Sequence, residues 1–365
     1  MSQKVSMKDI SDACGVSIAT VSKALNDRGD ISEETKQKIK FIASDMGYFP
    51  NAAAKALKTS RSYNLGVLFV DDAMSGLTHD YFAHVLDSFK RTAEASGYDI
   101  TFINSQAEGS QTRSYLEHVQ YRGFDGVVIA CVNFYDPKVE ELVRGNIPVV
   151  TIDHVFDNRI AIMSNNIKGM KDLVTYCISQ GHRKIAYVHG AYSSVTQSRL
   201  SSFYKTCESF GIDVPEEYVL EGDYRNTSKA FACTEQLLKL KDPPTCILYP
   251  DDFAAIGGIG AIHMMGLQPG IDVSVAGFDG IPIAMRMHPP LTTLHQDTET
   301  LGRLAAQRLI SLIDSPRTTV IEQVTVDGQI FPGGTVGKIN SSIVGFIYTI
   351  RLWMLFEASG AFFDY

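Results

Sequence analysis

Ten residues near the start of the chain, Ser17-Ile18-Ala19-Thr20-Val21-Ser22-Lys23-Ala24-Leu25-Asn26, have the make-up of a helix that reads DNA. Ser17 can cap its N-terminus, and Val21 and Leu25 share one apolar face at i, i+4 spacing. The outer face carries short side chains, which let a helix sink into the major groove. There Ile18 and Ala19 can touch thymine methyls and Ser22 can hydrogen-bond base edges. Lys23 can reach phosphate or guanine, Thr20 and the helix N-terminus can hold a phosphate, and Asn26 completes the candidate surface. The same residues also fit one helix of a three-helix cap with no DNA role.

A second segment follows at Pro50-Asn51-Ala52-Ala53-Ala54-Lys55-Ala56-Leu57. Proline suits a first helical position. About two turns is marginal for an isolated helix in water, so the segment should order only against a partner. Leu57, flanked by Lys55 and Lys58, can act as a wedge between base steps in the minor groove, with the lysines on neighbouring phosphates. A leucine docked on the body, or a plain linker, fits as well. Asn51, Ala54, Leu57 and Lys58 are the candidate contacts here.

The elements that must position these residues are legible. Ser6 with Asp9 resembles a capping box for a first helix ending near Cys14. Gly15 supplies a left-handed corner. Asn26–Asp30 is a turn, Ser32 caps a third helix, and Gly47 ends it. The expected core is Ile10, Ala13, Val16, Val21, Leu25, Ile31, Ile39, Ala43 and Met46. From residue 64 the pattern becomes strand, helix, strand, helix. Strands are expected at Leu65–Val70, Ile100–Asn104, Gly126–Ala130, Val149–Asp153, Ile185–His189, Thr245–Tyr249 and Val273–Gly277. Helices are expected at Tyr81–Ser96, Ile167–Gln180, Ser198–Phe210, Ser228–Leu240 and Ala254–Met265. Such alternation predicts parallel sheets covered on both faces. The length predicts two lobes, with a ligand at the carboxyl ends of their strands.

Charge and cysteines narrow the class. The 365 residues carry a net charge of −8, but the first 62 hold ten basic and seven acidic side chains, +3 against −11 for the remainder. A mildly basic head on an acidic body suits phosphate binding at one end only. The six cysteines form no CxxC pair and read as buried free thiols of a reducing compartment. The N-terminal MSQKVSMKDIS has no apolar core, so a signal peptide is not expected and the cytoplasm is. The histidines lack metal-ligand spacing, no nucleophile–base set or phosphate-binding glycine loop appears, and neither a cofactor nor enzymatic activity is expected. Gly257-Gly258-Ile259-Gly260 lies in an expected helix and reads as close packing.

The strings VSMKDISDACGVSIATVSKALN and ISEETKQKIKFIASDMGYFPNAAAKALKTSRSYNLGVLF resemble the head of the LacI/GalR family of bacterial transcription regulators. The likeness runs on through Gly181-His182-Arg183-Lys184-Ile185-Ala186, Arg199, Gly222-Asp223, Pro250-Asp251-Asp252, Val275–Asp279 and Pro290–Thr293. It implies an α plus α/β protein: a helix-turn-helix head and hinge helix on a two-lobed body like a periplasmic sugar-binding protein. It implies a homodimer on a near-palindromic double-stranded operator, with paired leucines at Leu57 kinking its centre. The effector cleft of that family maps onto Phe82, Asp153, Arg199, Tyr224, Asp251 and Asp279. Carboxylates and an arginine suit sugar hydroxyls, and aromatic rings suit the apolar sugar face. Other roles fit too: Asp153 as a strand-end cap, Arg199 in a surface ion pair, Phe82 or Tyr224 as core. Asn165-Asn166, Asp251 and Gly280 depart from the usual family residues.

The expected division is a head at 1–48, a hinge and linker at 49–62 and a body at 63–337. The first lobe is 63–161 with 292–322, and the second is 162–291 with 323–337. Residues 338–365 form an atypical apolar tail, whose apolar stretch Ile343–Phe356 is interrupted by Arg351 and is short for a membrane span, which needs about 20 residues. The reading is a repressor whose operator affinity is set by a small effector, expected to be carbohydrate. A corepressor-dependent regulator is the alternative among regulators. A sugar-uptake binding protein is the alternative from another class, disfavoured by the head.

Overall fold

The computed structural model of the chain describes residues 5–49, 61–70, 76–103 and 113–339. The chain divides into two compact units, Met1–Tyr63 and Asn64–Tyr365. The expected hinge contacts Asn51, Ala54, Leu57 and Lys58 lie outside the described residues, as does the expected tail from residue 340 on.

Three helices build the first unit: α1 (Met7–Cys14), α2 (Ile18–Leu25) and α3 (Glu33–Asp45). Each begins on a serine. The Ser6 hydroxyl accepts the Asp9 amide at 3.3 Å while the Asp9 carboxylate accepts the Ser6 amide at 2.7 Å, a reciprocal capping box. Ser17 and Ser32 accept the amides of Thr20 and Thr35. Gly15, at φ 68°, turns the chain from α1 into α2. Behind α3, Tyr48 N–H returns to the Ala43 carbonyl at 2.8 Å, the Schellman closure that Gly47 permits. Ile10, Val21, Ala24, Ile39 and Ala43 are buried, with Val16, Leu25, Ile31 and Met46 packed around them. Ala13, expected inside, is exposed. The inward stripe of α1 runs from Ile10 to Cys14 at i, i+4, which turns Ala13 outward.

The second unit holds two six-stranded sheets. One comprises β1 (Asn64–Leu68), β2 (Asp99–Phe102), β3 (Gly126–Ile129), β4 (Val149–Ile152), β5 (Ile160–Ser164) and β11 (Gln323–Val326). Its spatial order is β11-β5-β4-β3-β1-β2, and every pairing is parallel. The other comprises β6 (Ile185–His189), β7 (Val219–Glu221), β8 (Cys246–Leu248), β9 (Ser274–Asp279), β10 (Thr292–His295) and β12 (Gln329–Phe331), in the order β12-β10-β9-β8-β6-β7. Only its edge strand β12 runs antiparallel. Strands such as Val149–Ile152 are buried along their whole length, as a parallel strand covered on both faces must be. The helices between the strands of the first sheet are α4 (Asp80–Ala95), α5 (Tyr115–Arg122) and α6 (Pro137–Arg144). Those between the strands of the second are α7 (Asn166–Ser179), α8 (Ser194–Ser209), α9 (Thr227–Leu238), α10 (Asp252–Met264) and α11 (Pro282–Arg286). The long α12 (Thr298–Asp314) packs beside α4.

The chain changes sheet three times, after β5, after β10 and after β11. The expected lobe boundaries at 161/162, 291/292 and 322/323 are therefore displaced: β10 belongs to the second sheet and β11 to the first. A strand must finish before the chain can leave its sheet, so each crossing falls at a strand's carboxyl end. The sequence reading sets them near strand starts.

At its end the chain stays docked past Gly337. His182 Nε2 meets the Gly337 carbonyl at 3.1 Å and its Nδ1 meets Thr245 Oγ1 at 2.9 Å. Burial pushes the imidazole down to about 4, so it is neutral in this seat. Ile339 N–H then bonds the Gln180 carbonyl at 2.9 Å, which keeps 338–339 in the second lobe rather than in the expected tail. All six cysteines are free, and Cys177, Cys207, Cys233 and Cys246 are buried as expected. Cys14 and Cys131 are only partly so.

The glycine run in α10 packs as expected where α10 crosses α9. A Cβ on Gly257 would collide with the Thr227 carbonyl, whereas one on Gly260 would meet Phe231 at an ordinary 3.7 Å. Gly257→Ala is expected to lower stability by about 1–3 kcal/mol through overpacking. Gly260→Ala is expected to be neutral or to gain up to about 1 kcal/mol from helix propensity. Denaturant midpoints of the two variants check the contrast.

Candidate DNA-reading helix and effector cleft

On α2 the buried side is Val21 and Ala24, which leaves Ser17, Ile18, Ala19, Lys23 and Asn26 exposed and Thr20 and Ser22 half-buried. Ile18 is 48% exposed, a high value for an isoleucine on an eight-residue helix. The seven expected contacts thus share one small-residue surface. Ser17 Oγ is committed to capping, and it also meets Thr20 Oγ1 at 2.9 Å. Asn26 Nδ2 donates to the Ser22 carbonyl at 2.6 Å. Lys23 Nζ pairs with Asp30 at 2.5 Å and Lys40 with Asp27 at 2.5 Å. Those lysines hold both aspartates below the usual carboxylate range.

In the second unit, the expected cleft residues fall at strand ends and in the first turns of helices. On the first lobe, Phe82 in α4 stands edge-on to Phe69 at 5.7 Å between ring centres, just past β1. Asp153 follows β4 in a left-handed conformation (φ 57°). It does cap backbone, accepting the Ser164 amide at 2.7 Å on one oxygen, but its other oxygen accepts the Tyr81 hydroxyl at 2.6 Å. Tyr81 is buried and also meets Ser164 Oγ at 2.9 Å.

On the second lobe, Arg199 of α8 is not a surface residue; it is 4% exposed. Its Nε donates to Asn166 Oδ1 at 2.8 Å and its Nη1 to the Pro250 carbonyl at 2.7 Å. The guanidinium carbon lies 3.5 Å from the Phe278 ring centre. Burial works against its charge, but Tyr224, Tyr187, Asp279 and Asp153 act in its favour and raise its pKa on balance. Tyr224 lies over Gly190 and meets Thr196 Oγ1 at 2.9 Å. Asp251, buried, caps α10 through the Ala254 amide at 2.9 Å and accepts the Arg225 amide at 2.7 Å. Its carboxyl is raised by burial against those bonds. Asp279 ends β9 at φ 111° and accepts Gln296 Nε2 at 2.7 Å. Burial pushes it up to about 7, with Arg199 pulling the other way. From Asp279 an open groove of about 190 Å³ continues between Tyr81 and His84 on one side and Ile281, Met285 and His295 on the other.

The charges of Asp153 on the first lobe and Asp279 on the second both act on the Arg199 guanidinium, and that of Asp251 acts on Asp279. Tyr81, Asn166, Arg225 and Gln296 were not foreseen. Tyr81 carried a signal, as the polar neighbour of Phe82 at the start of a helix. Asn166 carried another, in the Asn165-Asn166 pair at a lobe crossing. Among the described residues, no group of three or more His, Cys, Asp or Glu could hold a metal ion, and no helix is long and apolar enough to cross a membrane.

A helix-turn-helix reader joined to a two-sheet binding body defines a ligand-responsive, DNA-binding transcription regulator rather than an enzyme. Residues 6–51 match the model of bacterial regulatory proteins, lacI family, and residues 174–336 match that of a periplasmic binding protein-like domain. The "Probable HTH-type transcriptional repressor ExuR" of Bacillus subtilis (strain 168) is 33% identical over 318 residues, covering 86% of this chain and 93% of the relative. The HTH-type transcriptional repressor PurR of Pectobacterium carotovorum is 31% identical, with 85% and 91% covered. The crystal structure of the Lac repressor dimer bound to operator and an anti-inducer superposes with a TM-score of 0.77 at 25% identity. That match covers 91% of this chain and 99% of the other. The chain belongs to the lacI family of bacterial regulatory proteins.

The raised Asp279 has a consequence for stability. The unfolded chain ionises this carboxyl near its ordinary value of 3.8, the folded one only near 7, so its contribution is fully present below about 4 and declines as pH rises through 7. Asp279→Asn keeps an acceptor for Gln296 without the charge. Thermal midpoints from pH 5 to 8 should therefore show the variant gaining on wild type as pH rises, and a constant offset would contradict the assignment.

Proposed function

We propose that this protein is a cytoplasmic, homodimeric repressor. Each head reads half of a near-palindromic operator through Ser17, Ile18, Ala19, Thr20, Ser22, Lys23 and Asn26. The segment holding Asn51, Ala54, Leu57 and Lys58 enters the minor groove at the centre. Phe82, Asp153, Arg199, Tyr224, Asp251 and Asp279 bind a small polyhydroxylated effector, a sugar or sugar derivative, that lowers operator affinity. The observation that carries the cleft reading is the buried Arg199, on which the charges of Asp153 from one lobe and Asp279 from the other both act, with the Phe278 ring against its guanidinium. Charged acceptors and donors of this kind satisfy hydroxyls, and the rings cover an apolar sugar face. Because effector and operator act on one molecule, their effects on each other's binding are reciprocal.

Selection from a random duplex library should return one near-palindromic motif, bound with strong salt dependence. Leu57→Ala should lower affinity for that motif by at least about tenfold, since a lost wedge is worth a few kcal/mol, with little change on random duplex. Equal losses on both would rule the wedge out. A thermal-shift screen of sugars and sugar derivatives then supplies the effector. Arg199→Lys, which loses the planar fork, should weaken its binding by about tenfold or more. An effector that tightens operator binding would make the protein corepressor-dependent. If no duplex is preferred with or without small molecules, the proposal fails.

A further inference from the structure

We propose that Arg225 is a positioning residue that latches the mouth of the cleft and reports on the state of Asp251. The inference rests on the cleft being the effector site. Arg225 lies in the loop between β7 and α9 on the second lobe, yet it reaches the first. Its Nη1 stands 3.4 Å from Asp80 Oδ2, at the first residue of α4, and its Nη2 donates to the carbonyl of Thr78, in the turn just before it, at 3.4 Å. The guanidinium lies over the Phe253 ring at 4.0 Å, which fixes its plane and adds a cation–π attraction. The Arg225 side chain is 13% exposed and that of Asp80 32%, so the pair is screened far less than a surface ion pair. The covalent crossings between the lobes lie after β5, β10 and β11, so this is a non-covalent contact between them. Contacts at this place bear directly on whether the lobes part.

The second half of the inference concerns the backbone. Arg225 sits at φ 55°, a left-handed conformation that a residue with a long side chain rarely adopts. Its amide donates to Asp251 Oδ2 at 2.7 Å, one of the bonds that secure this conformation. The same carboxylate is a proposed effector ligand. An effector hydroxyl that takes over Oδ2 competes with the Arg225 amide, and the loop that carries the latch is loosened. Conversely, a closed latch holds Oδ2 in one orientation. Lobe closure and the readiness of Asp251 are thereby parts of one device.

The test uses hydrogen–deuterium exchange on the full-length protein without effector or DNA, so its failure leaves the DNA-binding and effector readings untouched. Wild type is compared with Asp80→Asn, Arg225→Gln and the charge exchange Asp80→Arg with Arg225→Asp; aspartate tolerates the left-handed position. Each single variant should speed exchange of the amide at position 225 and of Ala83, in the first turn of α4, about fivefold, the effect of losing a modest ion pair. Amides of β6 and β8 should keep wild-type rates, and the charge exchange should restore both sites toward wild type. The proposal is overturned if the single variants exchange like wild type, if the charge exchange rescues neither site, or if β6 and β8 open equally.

Discussion

The second unit depends on one buried guanidinium. An arginine taken out of water is tolerated only when its donors and its charge are met. Arg199 meets these demands from three places: Asn166 at the first residue after a lobe crossing, the Pro250 carbonyl at the end of β8, and the face of Phe278 at the end of β9. Each is a point where a strand gives way to a loop or helix. The side chain therefore gathers the carboxyl edge of the second sheet around itself and presents a fixed positive charge to the carboxylates opposite. The Asn165-Asn166 pair divides between two tasks here. Asn165 caps α7 through the Lys168 amide, and Asn166 supplies the neutral acceptor for the guanidinium.

The carboxylates divide their work. Asp153 and Asp251 each spend at least one oxygen on backbone amides, which fixes their orientation before anything binds. Asp252 is tied off wholly within the protein, between the Ile281 amide and Thr293. Asp279 is the least committed, with Gln296 as its hydrogen-bond partner, and it titrates near neutrality. Asp153 after β4 of the first sheet, and Asp223, Arg225 and Asp279 after β7 and at the end of β9 of the second, all take positive φ. Strain of this kind persists only where the surroundings over-determine it.

Much of this was legible in the sequence. Serines at helix starts and glycine after helix ends fixed the head almost residue by residue, because capping is a local interaction written in adjacent positions. Of the strands between Leu65 and Gly277, β1, β2, β3, β4, β6, β8 and β9 were legible as short apolar or β-branched runs. The misses were non-local. Strand β5 is apolar but follows β4 after residues 153–159, too short a link for a helical crossover, and the connection works because Arg159 pins it to the carbonyls of Val143, Ile147 and Gly145. The edge strands β7, β11 and β12 are short and half-exposed, so they leave little hydrophobic signature. Within the cleft, the family resemblance pointed to the aspartates and the arginine, and their chemistry agreed with it. Of their partners, Tyr81 left a faint signal beside Phe82, whereas Gln296 emerges only from which strands end side by side.

The paired charges on the head carry a last implication. Lys23 and Lys40 are already matched by Asp30 and Asp27, so the turn after the reading helix offers an arbitrary duplex little unbalanced positive charge. Gripping a phosphate there means parting a lysine from its aspartate and bringing that aspartate toward a polyanion. On the proposed reading, base contacts from the small side chains of α2 have to offset that cost, which favours a fitting site over an arbitrary duplex.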